Sequence, residues 1–181
     1  MIYFCSDHHF YHKNIIKYSG RPFQSVEEMN STLIKRHNSL VTDEDTVYFL
    51  GDFAFASIEK QAAILSALKG KKHLFLGNHD RNKRAMLSIG FLTVHNIADL
   101  EIEGHKFRVN HYPFAPHDSS EDVRYLDRRP KREDCSWLLC GHIHERWCVR
   151  ENQINVGVDV WDFYPVPFEK ILEIVQKKGV R

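Results

Sequence analysis

Five short apolar runs divide the chain, and each leads into a residue able to bind a metal ion. The run at 2–6 leads into Asp7, the run at 47–51 into Asp52 and the run at 74–77 into Asn78. Further on, 107–110 leads into His111 and 137–141 into His142. Runs of this length, rich in β-branched and aromatic residues, predict buried strands. Three of them close on glycine (Gly51, Gly77 and Gly141), which lets the backbone turn sharply or come close to a ligand.

Between the early runs the apolar period becomes helical. Ser25 and Glu28 form a capping box, followed by Val26, Met29, Leu33 and Leu40 at roughly helical spacing. Ser57 caps a second helix carrying Ile58, Ala62, Leu65 and Leu68, with Gly70 just past its end. A shorter helix is predicted from about 82 to 89, stopped by Gly90. Strand, helix, strand, helix, strand is a βαβ series, so the first half should hold parallel strands. The functional crevice of such a sheet lies at the carboxyl ends of its strands, where these ligands sit.

The second half changes character. Residues 101–107 read as a hairpin turning at Gly104. Strands are predicted at 137–140, 146–149, 153–157 and 168–175, forming a mainly antiparallel sheet packed on the first with helices outside. The 181 residues read as one domain, with no linker or low-complexity tract. The 43% of hydrophobic residues suffices for a core and excludes a disordered tail. A net charge of +1 argues against a protein that coats nucleic acid by bulk charge, though not against a local basic patch.

No run of eighteen apolar residues suggests a membrane span, and the first residues lack the basic start of a signal peptide. Cys5, Cys135, Cys140 and Cys148 include no CxxC pair and read as reduced thiols of a cytoplasmic protein. The 12 histidines change the picture most, because histidine is the commonest metal ligand and a frequent acid or base.

In a strand, residues i and i+2 point the same way, so Asp7 and His9 are expected to face one metal, and His142 and His144 two adjacent ions. Asp52 has two carboxylate oxygens with which to bridge them. Asn78 offers an amide oxygen and His111 an imidazole. Such mixed ligands suit Mn, Fe, Zn, Co or Ni, with Mn favoured. Two ions about 3.5–4 Å apart clamp a phosphoryl group for in-line displacement, and a water bridging them becomes a nucleophile near neutral pH. His79 is placed to protonate the leaving oxygen or hold a phosphoryl oxygen, with Asp80 expected to orient it.

The blocks Asp7-His8-His9, Gly51-Asp52, Gly77-Asn78-His79-Asp80, Asn110-His111 and Gly141-His142-Ile143-His144 resemble, in order, those of the calcineurin-like metallophosphoesterase superfamily. They span residues 7–144, and no ligand position departs from the pattern. The resemblance implies an αββα sandwich of two mixed sheets flanked by helices, with a two-metal phosphoester hydrolase site at the carboxyl ends of the strands. One ion would use Asp7, His9, Asp52 and His144, the other Asp52, Asn78, His111 and His142, with His79 as the catalytic histidine. Residues 10–16 and Arg21-Pro22-Phe23 also resemble a small bacterial and phage subgroup.

Plainer readings stand beside these. A lone Asp after a strand is often only a helix cap or turn former. His8 should face away from the metals, while His37, His73, His95 and His105 read as surface or satisfied residues. His12 can line the pocket, and His117 can hang over it. The stretch 112–134 carries Arg124, Arg128, Arg129, Lys131 and Arg132 with Tyr125, which suits a lid over a polyanionic substrate. Its acids Asp118, Glu121, Asp122, Asp127, Glu133 and Asp134 nearly balance that charge, which favours a solvated loop.

The expected activity is a phosphodiesterase acting on a nucleotide or nucleic-acid end. Open two-metal sites admit diesters, and no basic residue of the matched blocks is dedicated to a monoester's extra charge. The alternatives are a phosphomonoesterase on a nucleotide or small metabolite, and a non-catalytic metal-binding scaffold. A nuclease working with other subunits has no extra domain here to support it, so no obligate protein partner and no membrane are expected.

Overall fold

Each ligand-bearing run forms a strand that stops short of its ligand. The computed structural model describes residues 1–116, 123–132 and 136–179. The first sheet contains β1 (Ile2–Cys5), β2 (Thr46–Phe49), β3 (Lys71–Phe75) and β4 (Thr93–His95), all parallel, with β10 (Val166–Pro167) antiparallel on β1. Its order is β10-β1-β2-β3-β4. The second sheet contains β5 (Ile97–Ile102), β6 (His105–Asn110), β7 (Leu138–Cys140), β8 (Val149–Arg150) and β9 (Gln153–Asn155), in the order β5-β6-β7-β9-β8. Helices α1 (Lys13–Tyr18), α2 (Val26–Leu40), α3 (Ile58–Ala67), α4 (Lys83–Ser88) and α5 (Phe168–Gly179) flank these two sheets. No helix among the described residues is long and apolar enough to cross a membrane.

The caps form as the sequence dictates. Ser25 Oγ accepts from the Glu28 amide at 3.1 Å, and Glu28 Oε2 accepts from the Gln24 amide at 2.7 Å. Asn82 Oδ1 accepts from the Ala85 amide at 3.0 Å, starting α4. The hairpin turns on Glu103 and Gly104, with φ of 51° and 77°, the paired positive values that match the twist of the strands.

Two expectations need correction, and two elements were not foreseen. Residues 168–175 belong to a helix, not a strand. Phe168, Ile171, Leu172 and Val175 recur at helical spacing, and this stripe packs among residues of both sheets. The second sheet is not mainly antiparallel: β5·β6 and β8·β9 are antiparallel, but β6·β7 and β7·β9 are parallel. The connection from β6 to β7 spans 111–137, long enough for a parallel crossover. Finally, α1 and β4 had no predicted counterpart.

Strand alternation sorts the core. Tyr3, Cys5, Val47, Phe49 and Leu74 face the side that buries Ile15, Met29, Leu33, Leu65 and Met86 of α1–α4. Phe4, Tyr48 and Phe75 face the other way, toward Phe107, Val109, Leu139 and Ile154 of the second sheet. Leu138 and Cys140 point to the second sheet's opposite face, under Phe114 and Trp147. A fully buried Phe contributes about 1.5–3 kcal/mol, and Phe4, Phe49, Phe75 and Phe107 are all buried to within 1%. The result is a stiff platform beneath the loops at the strand ends.

One buried histidine gives the fold a pH limit. His37 Nε2 donates to the Lys69 carbonyl at 3.0 Å, while its buried Nδ1 has no partner. Burial holds its pKa down at about 4, against the carbonyl's opposing pull and with help from Lys72. The unfolded histidine titrates near 6.5, so below that pH the unfolded chain takes up a proton that the fold refuses. The contribution is whole above pH 6.5 and falls away toward pH 4, by roughly 3 kcal/mol. His37→Gln keeps the donor without the titration. Urea midpoints in chelator should fall less for this variant than for wild type between pH 7.5 and 5. Buried His8 supplies a separate slope common to both. Equal falls would remove His37 as the source.

Candidate metal centre

Loops at the carboxyl ends of β1, β2, β3, β6 and β7 carry every candidate ligand to one rim. The reason is not strand alternation. Asp7 and His9 lie past β1, and His142 and His144 past β7, each with a left-handed backbone: φ is 58°, 51°, 73° and 49° respectively. Asp52 shares that conformation at φ 51°. A non-glycine residue there costs of order 1 kcal/mol or more, and persists where the surroundings over-determine it.

The surroundings do so by lacing the loops together. The amides of Asp7, His9 and Phe10 donate to the carbonyls of Gly51, Asp52 and Phe53, each at 3.0 Å. The Gly141 amide donates to the His111 carbonyl at 2.9 Å, and the His142 amide to Asp7 Oδ2 at 2.9 Å. Gly77 and Gly141 are required by close approach: a Cβ on Gly77 would collide with Asp52 Oδ1, and one on Gly141 with Ser6 Oγ and Asp7 Oδ2.

Two trios of donor atoms lie within 4.8 Å of one another: Asp7, His9 and His144, and Asp7, Asp52 and His111. Asp52 Oδ2 sits 3.5 Å from His9 Nε2 and 3.7 Å from His111 Nε2, and so links them. Asn78 Oδ1 lies 3.3 Å from His111 Nε2. The rings of His111 and His142 are 5.1 Å apart, as are those of His9 and His144. All seven expected ligands thus share one rim. Asp7 stands at the junction of both trios, a place the sequence reading gave to Asp52 alone.

The residues fit divalent ions. Asp7 Oδ1 and His9 Nε2 are buried polar atoms without a hydrogen-bond partner, a costly state that a cation relieves. Two buried carboxylates beside several imidazoles form a hard-to-borderline donor set. Burial, reinforced by His144, holds His9 neutral and able to ligate. Burial also opposes charge on His144, but its bond to Asp159 and the nearby Asp7 outweigh that and raise its pKa.

His79 lies at the cavity edge, its side chain 40% exposed, with Nε2 4.0 Å from Asp52 Oδ2. Its amide donates to Asp52 Oδ1 at 2.9 Å. Asp80 does not orient the His79 ring as expected. Asp80 Oδ2 accepts from the amides of Asp52 and Gly77, at 2.9 and 2.8 Å, and Oδ1 from that of Phe53, at 2.9 Å. It ties the β2 loop to the β3 loop, and burial together with Asp52 pushes its pKa up to about 6.

A cavity of about 370 Å³ opens over the ligands, lined among others by His12, His79, Arg124, Tyr125 and Arg146. His12 Nδ1 is 3.4 Å from His9 Nδ1, and its ring stacks on exposed Phe55 at 4.8 Å. Burial, with His79, lowers its pKa. A larger cavity of about 930 Å³ begins at Asn78 and is walled by Arg128, Arg129 and Lys131. Arg128 Nη1 donates to the Tyr112 hydroxyl at 3.5 Å and its guanidinium lies over the Tyr125 ring. Arg129 donates to the carbonyls of Pro113, Phe114 and Arg124, so it braces the loop backbone. His117 and the acids Asp118, Glu121, Asp122, Glu133 and Asp134 lie outside the described residues, as does Cys135.

His8 packs on Phe10 and Phe49, away from the ligands. His73 Nδ1 is satisfied by Thr93 Oγ1 at 2.8 Å. The sequence reading missed Asp159 and Asn155, and noted Arg21 only as part of a resemblance. Asn155 Nδ2 donates to the carbonyls of His144 and Trp147, at 2.8 and 2.9 Å, fixing the loop after β7. Asp159 carried the signal used elsewhere, an acid in an apolar run (157–160).

Residues 1–163 match the profile of the calcineurin-like phosphoesterase superfamily domain. An uncharacterized protein of Methanocaldococcus jannaschii, MJ1445, is 35% identical over 99% of this chain and 93% of its own length. The gene 66 protein of Mycobacterium phage L5 is 32% identical over 88% of this chain and 86% of its own. Among solved structures, the Aquifex aeolicus protein of unknown function AQ665 has a TM-score of 0.80 at 30% identity, covering 96% of this chain and 98% of that one.

Proposed function

Since the chain belongs to the calcineurin-like phosphoesterase superfamily and is a metal-dependent phosphoester hydrolase, we propose that it is a phosphodiesterase with a dinuclear centre, manganese being the favoured metal. The observation that carries this reading is the convergence of Asp7, His9, Asp52, His111 and His144 around two buried atoms that lack partners, Asp7 Oδ1 and His9 Nε2. Asp7, His9, Asp52 and His144 would hold one ion, and Asp52, Asn78, His111 and His142 the other. When bound, the ions supply Lewis acidity and a water acidic enough to attack phosphorus near neutral pH.

The chain's own groups supply the rest. Asp52, tied to the His79 amide, sets the distance between ligand cluster and acid. The His79 ring reaches into the cavity from the side and delivers a proton to the departing oxygen, or holds a phosphoryl oxygen. His12 lies beside it. Arg128 and Arg129 stand in the cavity that begins at Asn78, where one arm of a nucleotide or nucleic-acid end would lie. Cavities adjoin the ligands on both the Asn78 side and the His79 side, so each ester arm has a place. That supports a diester. The buried thiols of Cys5 and Cys140 fit a reducing, cytoplasmic setting, and the reading calls for no obligate partner protein.

One observation favours a second reading. Arg124 and Arg146 line the cavity rim, where they suit the extra charge of a nucleotide or metabolite monoester. Stripped protein reloaded with Mn²⁺ should hydrolyse bis(p-nitrophenyl) phosphate faster than p-nitrophenyl phosphate. The reverse preference hands the lead to the phosphomonoesterase. No turnover of either with metal bound would leave the scaffold reading, against which the intact His79 and ligand blocks now weigh.

A further inference from the structure

We propose that the buried pair Arg21–Asp159 is a positioning device for one ion, the one facing Asp7, His9 and His144. The proposal rests on the metal-centre reading above. Asp159 Oδ2 lies 3.1 Å from His144 Nδ1. A carboxylate only accepts, so Nδ1 carries the proton and Nε2 is the nitrogen left for the ion. Asp159 is held in turn by a two-pronged contact: Arg21 Nε donates to Oδ1 at 2.7 Å and Nη2 to Oδ2 at 2.9 Å.

The same guanidinium reaches the other ligand loop. Arg21 Nη2 donates to the Asp7 carbonyl at 2.6 Å and Nη1 to the His8 carbonyl at 2.8 Å. These carbonyls belong to the turn that puts Asp7 and His9 in left-handed conformations. One planar cation therefore sets the turn carrying two ligands and, through Asp159, the ring of a third. Lysine has no such fork. The side chains are 0% and 3% exposed, and neither lines the cavity above the ligands, so both act through the ligands and not on substrate. Burying such a pair is weak evidence for stability alone.

The test is Mn²⁺ titration calorimetry of chelator-stripped wild type and Asp159→Asn, with unfolding temperatures in chelator. Wild type should take up two ions. In the variant, one ion should weaken by about 10–100-fold, the cost of losing an outer partner of a ligating histidine. The other ion, whose donor trio includes Asp7 but neither His9 nor His144, should weaken clearly less. Equal weakening of both ions would show a general loosening and overturn the proposal, as would unchanged binding of both. A wild type that takes up no ion overturns the metal-centre reading and this role with it.

Asp159→Asn leaves Arg21 without its carboxylate and can lose the fold. Long-range ¹H–¹⁵N spectra of zinc-loaded wild type then decide. They should show His144 protonated at Nδ1, with Nε2 bare and shifted by the ion. The opposite tautomer overturns the proposal.

Discussion

Asp52→Asn should bind neither ion at wild-type affinity and should lose phosphoesterase turnover, while its metal-free form unfolds at least as late as wild type. The site is held against its own preferences. Asp7 and Asp52 are buried to 0% and 2% exposure, and among the described residues no lysine or arginine forms an ion pair with either carboxylate. Each accepts one backbone amide at 2.9 Å, Asp7 Oδ2 from His142 and Asp52 Oδ1 from His79, and the side chains facing Asp52 Oδ2 are imidazoles, of which that of His9 is held neutral by burial and by His144. Two carboxylates in that setting repel each other and miss their hydration. A cation removes both costs, so metal binding and stability are linked. Replacing Asp52 by the isosteric amide removes one charge, keeps the volume and can keep the bond from the His79 amide to Oδ1.

Metal affinity should fall by more than the roughly 10–100-fold that an outer-shell loss costs, because Oδ2 itself faces His9 and His111. The measurement is the unfolding temperature with and without Mn²⁺. Wild type should gain a large increment on adding metal, and Asp52→Asn little or none. In chelator the variant should match or exceed wild type. A variant that is destabilised in chelator, or that keeps the full metal increment, would show that Asp52 serves packing and not the ions.

The contrast between legible and hidden parts of this site is physical. Residue identity next to a strand end is local information, so Asp7, Asp52, Asn78, His111 and His142 could be picked out from apolar runs and the residues that follow them. Their conformation was not local. Alternation on a strand was expected to align Asp7 with His9, but both sit in left-handed turns held by the carbonyls of Gly51 and Asp52 and by the Arg21 fork. Those partners lie in distant segments, and Asp159 is 138 residues from Arg21. Asp80 shows the same limit. Its neighbour in sequence is His79, yet its oxygens serve the amides of Asp52, Phe53 and Gly77. In α5 the error was one of period: residues 168–175 were expected to form a strand, whereas the spacing of Phe168, Ile171, Leu172 and Val175 is helical. The mixed pairing of the second sheet depended on how the 111–137 connection crosses, which no local pattern encodes.

His79→Ala should keep both ions and lose about 10²–10⁴-fold in rate on diesters with poor leaving groups. Metal retention follows from geometry. His79 hydrogen-bonds to the ligand cluster through its amide, which alanine preserves, while its ring packs edge-on to His9 at 5.3 Å without a bond to it and its ring nitrogen stands 4.0 Å from Asp52 Oδ2. The ring is 40% exposed at the cavity edge, with Phe55 edge-on at 5.8 Å and His12 at 6.2 Å. It can therefore reach a leaving oxygen that the buried ligands cannot. An alkoxide must be protonated as it departs, whereas p-nitrophenolate leaves unaided. The loss should thus be large for an alkyl or nucleoside leaving group and much smaller for p-nitrophenolate. Mn²⁺ content of the purified variant, with kcat on a matched pair of such diesters, reads both parts at once. Equal losses on the two substrates would make His79 a holder of a non-leaving phosphoryl oxygen. Undiminished turnover of the poor leaving group would remove it from the reaction and turn attention to His12, the other cavity imidazole, stacked on Phe55.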